Sequence, residues 1–435
     1  MNMVDIIIKK RNGNALTKEE IEWFVQAYTN GEVPDYQASA LLMAIYYQHM
    51  NEEETNVLTK AMQDSGVTMD LSGIPGIKVD KHSTGGIGDK TTMIVAPLAA
   101  ACGVPIAKMS GRGLGMTGGT IDKLCAIPGF EVAVKPEDFI ENVREKGIAV
   151  VGQSADLAKA DKLLYALRDV TGTVDEPSLI ASSIMSKKLA SGADAILLDV
   201  KCGSGAFMQT EEAARDLAER MVRIGNAAGK RTIAVITGME QPLGQAAGNS
   251  CEVVEAIETL KGRGPEDITA LSLHLASLMV LLGGKADDFD SARVMAEEAL
   301  LSGRGLDKFR EMIAAQNGNE MVIDDIKLLP RPAHAVDILA QESGYVTALD
   351  ASLVGAAVQK SGAGRARKED EIDESAGAYL YIKTGGKVNK GDRLARLFGA
   401  DAEKIREAAG DLRAAYQIGE EAPAAGRLII DTIGV

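Results

Sequence analysis

Five short apolar runs alternate with helical stretches from about residue 77 onward. The runs read IKVD, PIAKMS, IAVVG, AILLDV and RTIAVIT. Strands of this length separated by helices are typical of βα units, and such units build a largely parallel sheet. We therefore predict an α/β domain, and we expect the loops that follow its strands to meet at one edge of the sheet.

Two stretches of the chain interrupt this alternation because they carry helical patterns alone. In the first 65 residues, Thr17 with Glu20 and Asn51 with Glu54 form capping boxes at the start of helical segments. Residues from about 156 to 191 also look helical, with no strand between them. The simplest explanation is that this second stretch leaves the sheet and packs on the first. That arrangement gives a discontinuous all-helical domain and a cleft beside the α/β domain.

The composition changes again beyond residue 330, where glycine turns separate short strand-like runs such as GYVTALDA and GRLIIDTI. We interpret this region as a C-terminal α+β module that follows a larger α/β domain with a mixed, mainly parallel sheet. The predicted division is a helical domain (1–66 and 156–192), an α/β domain (67–155 and 193–334) and the C-terminal module (335–435).

The charge balance limits the partners of the protein. The 435 residues include 47 lysines and arginines against 62 aspartates and glutamates, which gives a net charge of −15. Such a surface repels nucleic acid and anionic membranes. No uncharged run reaches the ~20 apolar residues of a membrane span, and the four cysteines form no CxxC pair, which is typical of a reducing compartment. We expect a cytoplasmic protein.

The segment KHSTGGIGDKTT, residues 81–92, lies where a strand ends and a helix begins. Its glycines allow main-chain N–H groups to turn inward, the helix adds its positive end and the hydroxyls add donors. The segment therefore predicts a phosphate-binding loop. It is not a Walker A motif, because Asp89 separates Gly88 from Lys90. A glycine-rich turn without a ligand is the alternative.

A second glycine-rich segment, SGRGLGMTGGT, spans residues 110–120. Gly113, Gly115 and Gly118 match the GxGxxG pattern of dinucleotide sites. That pattern opens the first βα unit and precedes an acidic residue by about 20 positions, whereas here an earlier phosphate-like loop exists and the nearest acid is Asp122. We expect the two loops to converge on one phosphate.

A cationic group lies on the second helical stretch. Ser183 and Lys187 are four residues apart and so share one face of a helix. With Arg168 they could bind the oxygens and ring nitrogen of a planar polar base. His82 lies within the first glycine-rich loop, where an imidazole beside a phosphate could act as a general acid. The alternatives are solvated surface residues on the helices and a plain phosphate ligand at His82.

At these residues the chain resembles the thymidine phosphorylase and pyrimidine-nucleoside phosphorylase family, essentially from end to end. The shared motifs are SGRGLGMTGGTIDKLC, KHSTGGIGD, YALRDVTGTVD, SIMSKKLASG, LDVKCGSGAFM and SGAGRA. The resemblance implies reversible phosphorolysis of pyrimidine nucleosides (uridine, thymidine, deoxyuridine) to a free base and a (deoxy)ribose 1-phosphate, in nucleoside salvage and catabolism. It also implies hinged domains that close over the cleft and a homodimer built through the helical domain.

The same resemblance assigns roles to individual positions. Phosphate is expected at Lys81, Ser83, Thr92, Lys108, Ser110 and Thr120. The pyrimidine is expected at Tyr165, Arg168, Ser183 and Lys187. The expected catalytic residues are His82, near O2 of the base, Arg168 and Lys187. A potassium ion is expected at Gly88, Lys90, Leu243, Ala246 and Glu255, mostly on main-chain oxygens. No organic cofactor is implied.

Four positions qualify this resemblance. Met116 stands where the family usually has histidine, Cys125 where it has glutamate, and Lys90 where potassium-binding relatives often have threonine. Lys108 favours the broad enzymes that accept uridine and thymidine, since strict thymidine phosphorylases typically carry methionine there. Every residue expected to contact phosphate or the base is present, and we expect activity to be retained.

Two other functions remain open from the sequence. A phosphoribosyltransferase of the anthranilate type shares the helical-plus-α/β architecture. It would bind a pyrophosphate sugar with Mg²⁺, for which Asp89 and Asp122 are the candidate ligands. That interpretation leaves the set on the second helical stretch unexplained. A nucleoside-binding protein without catalysis is the second alternative, and loss of a phosphate-loop residue would favour it.

Overall fold

The computed structural model describes residues 1–113, 118–154, 156–365, 367 and 370–435. The chain begins with four helices: α1 (Met3–Arg11), α2 (Lys18–Thr29), α3 (Asp35–Gln48) and α4 (Glu52–Asp64). Both predicted capping boxes are confirmed: Thr17 with Glu20 begins α2, and Asn51 with Glu54 begins α4. Their apolar faces pack on one another around side chains such as Phe24 and Leu41.

The first part of the α/β domain follows. Its elements are β1 (Val79–Ser83), α5 (Thr91–Ala101), β2 (Ile106–Ser110), α6 (Thr120–Cys125), α7 (Pro136–Lys146) and β3 (Ile148–Gly152). Helix α5 is apolar on all sides and buried along almost its entire length. Its first turn therefore stands at the end of the β1 loop, inside the domain rather than on its surface.

The chain then leaves the sheet for two helices, α8 (Lys159–Thr171) and α9 (Pro177–Ala190). Helix α8 packs on α2, α3 and α4, and α9 packs on α4. Leu164 and Leu179 belong to the same apolar core as the N-terminal helices. The predicted discontinuous helical domain is confirmed. Helix α9 also packs on the α/β domain, where Met185 and Leu189 join a second core.

The α/β domain resumes with β4 (Ala195–Cys202), α10 (Glu211–Ala227), β5 (Arg231–Gly238) and β6 (Ala246–Gly248). Four helices follow: α11 (Ser250–Leu260), α12 (Glu266–Leu282), α13 (Phe289–Leu301) and α14 (Arg304–Ala315). Every residue of β4 is buried, because α10 covers one face of the sheet and α12 the other. A parallel strand that is covered on both faces normally carries apolar side chains on both faces, so charged residues within it are unusual.

The C-terminal part contains β7 (His334–Leu339), β8 (Gly344–Leu349), α15 (Ala351–Val358), β9 (Gly377–Leu380), β10 (Lys387–Val388), β11 (Arg393–Gly399), α16 (Ala402–Ala414), β12 (Tyr416–Gly419) and β13 (Ile429–Ile433). Its strands pair antiparallel, as an α+β module requires. The module exchanges strands with the α/β domain, since β6 pairs with β9 and β13 pairs with β5. The last strand of the chain therefore lies in the central sheet, although the sequence places it in the module.

The central sheet has the strand order β1-β4-β5-β13, and β2 pairs with β3 beside it. The pairs β1–β4, β4–β5 and β2–β3 are parallel, whereas β13 is antiparallel to β5. The predicted mixed, mainly parallel sheet is thus confirmed. Within the described ranges, no helix is long and apolar enough to cross a membrane.

Candidate functional site

The first glycine-rich loop connects the carboxyl end of β1 to the first turn of α5. Lys81, His82 and Ser83 are the last residues of β1, and Thr92 lies in the first turn of α5. Gly88 in the loop has a φ of +73°, and a Cβ added there would come within 2.4 Å of the Leu243 carbonyl oxygen. The loop thus needs glycine at this position. The structure brings four predicted phosphate or catalytic residues around one helix N-terminus, where main-chain N–H groups favour an anion.

A buried carboxylate on β4 holds the side chain of Lys81. The Lys81 ammonium lies 3.1 Å from Asp199 Oδ2 and donates to Thr91 Oγ1 at 2.6 Å. The same Asp199 oxygen lies 2.8 Å from the ammonium of Lys201. Two buried ammonium groups therefore share one carboxylate. Burial raises the pKa of Asp89 in the loop, but Lys81 and Lys201 lower it well below its ordinary value, so these two lysines face two carboxylates. The groups that favour an anion here are the N–H donors of the loop and the start of α5.

A second buried carboxylate, Asp80 on β1, repeats this arrangement. Asp80 Oδ2 lies 2.7 Å from the ammonium of Lys188 on α9, and its Oδ1 lies 3.6 Å from that of Lys108 on β2. Burial lowers the pKa of Lys108 to about 7; Asp80 opposes this shift, while Lys188 and Lys81 add to it. The Lys108 side chain is therefore only partly charged near neutral pH.

His82 marks the point where the two charge clusters and the helical domain meet. Burial lowers the pKa of the His82 imidazole well below its ordinary value, and the positive charges of Lys188, Lys108, Lys187 and Lys81 lower it further. Lys187 and Lys188 lie on α9, whereas Lys81 and Lys108 lie on strands of the α/β domain. Lysines predicted to bind phosphate and a lysine predicted to bind the base thus act electrostatically on the same imidazole, and they keep it neutral.

Asp122 organises the second glycine-rich loop. Its carboxylate accepts hydrogen bonds from the N–H groups of Gly113 (2.7 Å) and Gly119 (3.1 Å). It also accepts from Arg112 at 3.1 Å and from Arg365 of the C-terminal module at 3.0 Å. The two predicted phosphate residues of this loop flank the Asp122 contacts in the chain: Ser110 ends β2 and Thr120 begins α6.

The positions that depart from the family pattern in this loop differ in what the structure shows. Met116 lies outside the described residues. Cys125 is the last residue of α6 and is half-buried. Burial raises the pKa of its thiol more than the nearby Arg112 lowers it, so Cys125 is a neutral thiol at pH 7 rather than the carboxylate that the resemblance leads one to expect. The Arg112 guanidinium has the Asp122 carboxylate as its acidic partner instead.

The predicted base-binding residues divide into two groups. Lys187 on α9 donates to Ser183 Oγ at 2.9 Å and pairs with Asp161 of α8. Arg168 is only 3% exposed, and its guanidinium donates to the main-chain oxygens of residues 173, 174 and 179. Tyr165 lies beside it, with 5.8 Å between the Arg168 Cζ atom and the ring centre.

This difference decides which base-binding predictions the geometry supports. Ser183 and Lys187 are joined by a hydrogen bond, and the charge of Lys187 lowers the pKa of His82. Among the described residues, Arg168 directs three of its five N–H donors to main-chain oxygens of the helical domain. Its contact with a base stays a prediction that depends on the two remaining donors.

The five predicted potassium positions do converge, but on a side chain of this protein. The Lys90 ammonium donates to the main-chain oxygens of Leu243 (2.9 Å) and Ala246 (3.0 Å) and to the Glu255 carboxylate. Burial lowers the pKa of Lys90, but Glu255 and Glu252 raise it by more, so the group stays charged. As placed, these residues do not fit a free potassium ion, since the ammonium takes the oxygens that would coordinate it. The expectation of potassium at these positions therefore rests on the resemblance alone.

Sequence reasoning missed the carboxylates and the second lysine of each charge cluster. Asp80, Lys188, Asp199 and Lys201 are all buried. Asp80 lies in β1, which also carries Lys81, and Asp199 lies in β4, where Lys201 is the other charged residue. A charge in a strand buried on both faces is costly unless it is paired. The signal was therefore present in the sequence, in the acid-lysine pairs VDK and DVK at the carboxyl ends of two predicted strands.

Family comparisons agree with this geometry. The model "Glycosyl transferase family, helical bundle domain" matches residues 4–66, and "Glycosyl transferase family, a/b domain" matches residues 76–306. The model "Pyrimidine nucleoside phosphorylase C-terminal domain" matches residues 345–419. The three matches cover the three parts of the fold in chain order.

Individual proteins resemble the chain over its whole length. The pyrimidine-nucleoside phosphorylase of Bacillus subtilis (strain 168) is 56% identical over 424 residues, which is 98% of each chain. That of Staphylococcus haemolyticus (strain JCSC1435) is 57% identical over 394 residues, or 91% of each chain. The crystal structure of anthranilate phosphoribosyltransferase from Thermus thermophilus superposes with a TM-score of 0.58 at 21% identity, covering 72% of this chain and 99% of that one. This last likeness concerns the fold.

The crowding of lysines around His82 predicts an unusually acidic imidazolium. In a titration of the protein with ¹³C-labelled histidine followed by NMR, we expect the His82 signal to stay in its neutral form until the pH is well below the ordinary histidine pKa. His82→Asn assigns the signal by removing it. His274, whose pKa is lowered by burial and then by Arg293, serves as the internal comparison. A His82 signal that titrates at the ordinary value would contradict the placement of the lysines.

Proposed function

This chain belongs to the pyrimidine-nucleoside phosphorylase family, and we propose which of its residues carry out the reaction. The protein is a pentosyltransferase that catalyses the reversible phosphorolysis of pyrimidine nucleosides, with uridine, thymidine and deoxyuridine as substrates. Phosphate attacks C1′ of the sugar, the bond from C1′ to the base breaks, and a pentose 1-phosphate and a free base leave. The observation that carries the assignment of the site is that Lys108 of β2 and Lys188 of α9 both face Asp80 of β1, which brings the helix with the predicted base-binding residues against the phosphate loop.

Phosphate binds at the loop after β1. The main-chain N–H groups at the start of α5 and the hydroxyls of Ser83 and Thr92 supply donors. Lys81 and Lys108 supply charge, and Ser110 and Thr120 complete the site from the second loop. The aspartates Asp80 and Asp199 position these lysines rather than contact the ligand, because each is fully buried beneath them. The ion pairs therefore hold the lysine side chains in place before the ligand arrives.

The base binds on the helical domain, against Ser183, Lys187, Tyr165 and Arg168. Bond cleavage passes through an oxocarbenium-like state, so negative charge builds up on the departing pyrimidine. The Lys187 ammonium stabilises that charge. His82 is neutral before phosphate binds, and a bound phosphate raises the pKa of the imidazole because an adjacent anion favours its charged form. The electron pair of the broken C1′–N1 bond goes to N1 of the base and is delocalised onto O2, to which the His82 imidazolium donates a proton.

Closure of the cleft brings the two ligands together. We propose hinge segments near residues 66–80, 155–162 and 190–196, where the chain passes between the helical and α/β domains. The N–H of Val67 donates to the Asp156 oxygen at 2.9 Å, and the N–H of Met69 donates to the Ala190 oxygen at 2.9 Å. The three connections thus run side by side, which supports rotation about one common axis. Phosphate on one domain and the base on the other then reach attack geometry only when the cleft is closed.

The phosphoribosyltransferase alternative finds less support in the site. Both carboxylates offered for Mg²⁺ are used by protein donors. Asp122 accepts four hydrogen bonds from the second loop and the C-terminal module. Asp89 accepts from Ser83 and Thr91. The 21% identity to the anthranilate enzyme supports a shared fold alone.

We further propose that the protein is a homodimer built through the helical domain and that it acts in the cytoplasm. Large apolar side chains are exposed on α1 and α3, where Tyr36, Met43 and Tyr47 lie on one face of α3. A cluster of exposed apolar side chains on adjacent helices supports an interface there. The four cysteines are all free, which supports a reducing compartment.

Ultraviolet absorbance of the purified protein with uridine or thymidine tests the reaction. We expect base release only when inorganic phosphate is present. Lys187→Met is expected to lower kcat/KM by roughly 10²-fold or more, because it removes the charge that stabilises the leaving base. Lys162→Met changes an exposed lysine on α8, the neighbouring helix of the same domain. It serves as the control and is expected to retain wild-type rates. Base release that ignores phosphate, or no release at all, would refute the function.

The pKa of Lys108 predicts a pH dependence of phosphate binding. Its ammonium is charged below about pH 7 and loses its charge above it, so the KM for the phosphate dianion is expected to rise above that pH, by at most about tenfold per pH unit. In Lys108→Met we expect a higher KM than in the wild type below about pH 7, a smaller difference above it, and no inflection of KM with pH from this group. Steady-state rates across a pH series, corrected for the dianion fraction, give the measurement. An unchanged inflection in the variant would show that another group titrates.

The proposed interface is tested by sedimentation velocity. The wild type is expected to sediment as a dimer, and the double variant Met43→Glu/Tyr47→Glu as a monomer, because two charges in a buried apolar interface are costly. Leu301→Glu changes a side chain on α13 of the α/β domain that is 84% exposed, and it is expected to leave the dimer intact. A double variant that remains dimeric would place the interface elsewhere.

A further inference from the structure

The side chain of Lys90 ends inside a small cage of oxygen atoms. Its ammonium donates to the main-chain oxygens of Leu243 and Ala246, at 2.9 and 3.0 Å, and to the carboxylate of Glu255. The side chain has no solvent exposure. An ammonium has three donors, so each donor meets one oxygen of the cage.

Two carbonyls and a carboxylate that converge on one point are oxygen ligands of the kind that proteins offer to hard cations. The other Glu255 oxygen accepts from the N–H groups of Gln245 and Ala246, at 2.8 and 3.1 Å, which folds the chain around the charge pair. Gly244 has a φ of +70°, and a Cβ there would lie 2.8 Å from the Lys90 ammonium nitrogen. The chain from Leu243 to Ala246 thus closes on the point that the ammonium occupies.

We propose that Lys90 is a tethered cation that takes the place of a bound monovalent metal ion in this protein. An ammonium and a monovalent metal ion carry the same single charge, and carbonyl and carboxylate oxygens stabilise both. A short side chain at position 90 would leave the three oxygens of the cage without a cation. This chain supplies the charge covalently, and so the cage is filled whatever the salt composition around it.

The position of Lys90 gives the tethered cation a structural role. Lys90 is the residue before α5 and the last residue of the loop after β1. The N–H of Leu243 donates to the Ile87 oxygen of that loop at 3.0 Å. The cation therefore joins the phosphate loop to the 243–246 segment. This inference concerns the stability of the loop and does not rest on the proposed reaction.

Thermal melting of Lys90→Thr tests the proposal. The wild type is expected to melt at the same temperature in potassium chloride and in tetramethylammonium chloride of equal ionic strength, because the large organic cation cannot enter a cage and the wild-type cage is already filled. The variant is expected to melt lower in tetramethylammonium and to regain stability as potassium is added. The rise is expected to saturate, at a shift on the order of 5 °C.

Two further variants separate this effect from a general loss of stability. Lys90→Met keeps the side-chain volume but not the charge, and it is expected to melt low in both salts. Lys10→Thr removes another buried lysine whose ammonium meets the Glu54 carboxylate rather than a cage of carbonyls, and it is also expected to melt low in both salts. A potassium response in the wild type, a response shared with Lys10→Thr, or none in Lys90→Thr would each overturn the proposal.

Equilibrium dialysis with radioactive rubidium gives a direct second measurement. Lys90→Thr is expected to bind one ion per chain and the wild type none. Saturable binding of one ion per chain by the wild type overturns the proposal. If the threonine variant does not fold, the wild-type result decides by itself. Neither melting nor ion binding involves phosphorolysis. The proposal for Lys90 can therefore be supported or refuted even if the protein shows no activity.

Discussion

The pairing of buried lysines with buried carboxylates is the constraint on which the site depends. Asp80 and Asp199 lie on neighbouring parallel strands, and each is shared by two ammonium groups. A buried charge without its partner costs several kcal/mol, about 3 to 5 when one partner of a pair is removed. The strands, the phosphate loop and α9 are therefore held in one arrangement by the same set of ion pairs.

Helix α9 gives the architecture its functional geometry. One part of it packs in the core of the helical domain, and another packs on the α/β domain against α10. Consecutive lysines on α9 have separate tasks: Lys188 is tied to Asp80 of the sheet, whereas Lys187 stands by Ser183 on the helical side. One turn of helix thus links the phosphate half of the cleft to the base half. A discontinuous domain is the simplest way for a chain to place such a helix between two cores.

The Lys90 cage shows how one side chain changes what a set of backbone oxygens can do. The carbonyls of Leu243 and Ala246 face the cage because of main-chain geometry, which substitutions at those positions alter little. The side chain at position 90 then decides whether the oxygens face a free ion or an internal charge. A tethered group acts at a high effective concentration, so the loop no longer depends on the ion content of its surroundings.

The sequence by itself determined the elements and the kind of chemistry. Apolar runs and capping boxes act over a few residues, so they specified the strands, the starts of α2 and α4, and the interruption of the sheet by α8 and α9. Motifs such as KHSTGGIGD predicted a phosphate-binding loop for the same reason, whereas the reaction class came from the resemblance to the phosphorylase family. Their glycines, hydroxyls and lysine are close in the chain.

Only the tertiary structure decided the partners of the charged groups. Lys90 and Glu255 are 165 residues apart, and Lys188 and Asp80 are 108 apart. It also decided that β13 joins the central sheet, and that Arg168 uses three donors on main-chain oxygens. Local periodicity indicates which face of a helix or strand is apolar, but it does not indicate which distant element covers that face. Long-range ion pairs and strand partners arise from packing, and for that reason they appear only in the folded chain.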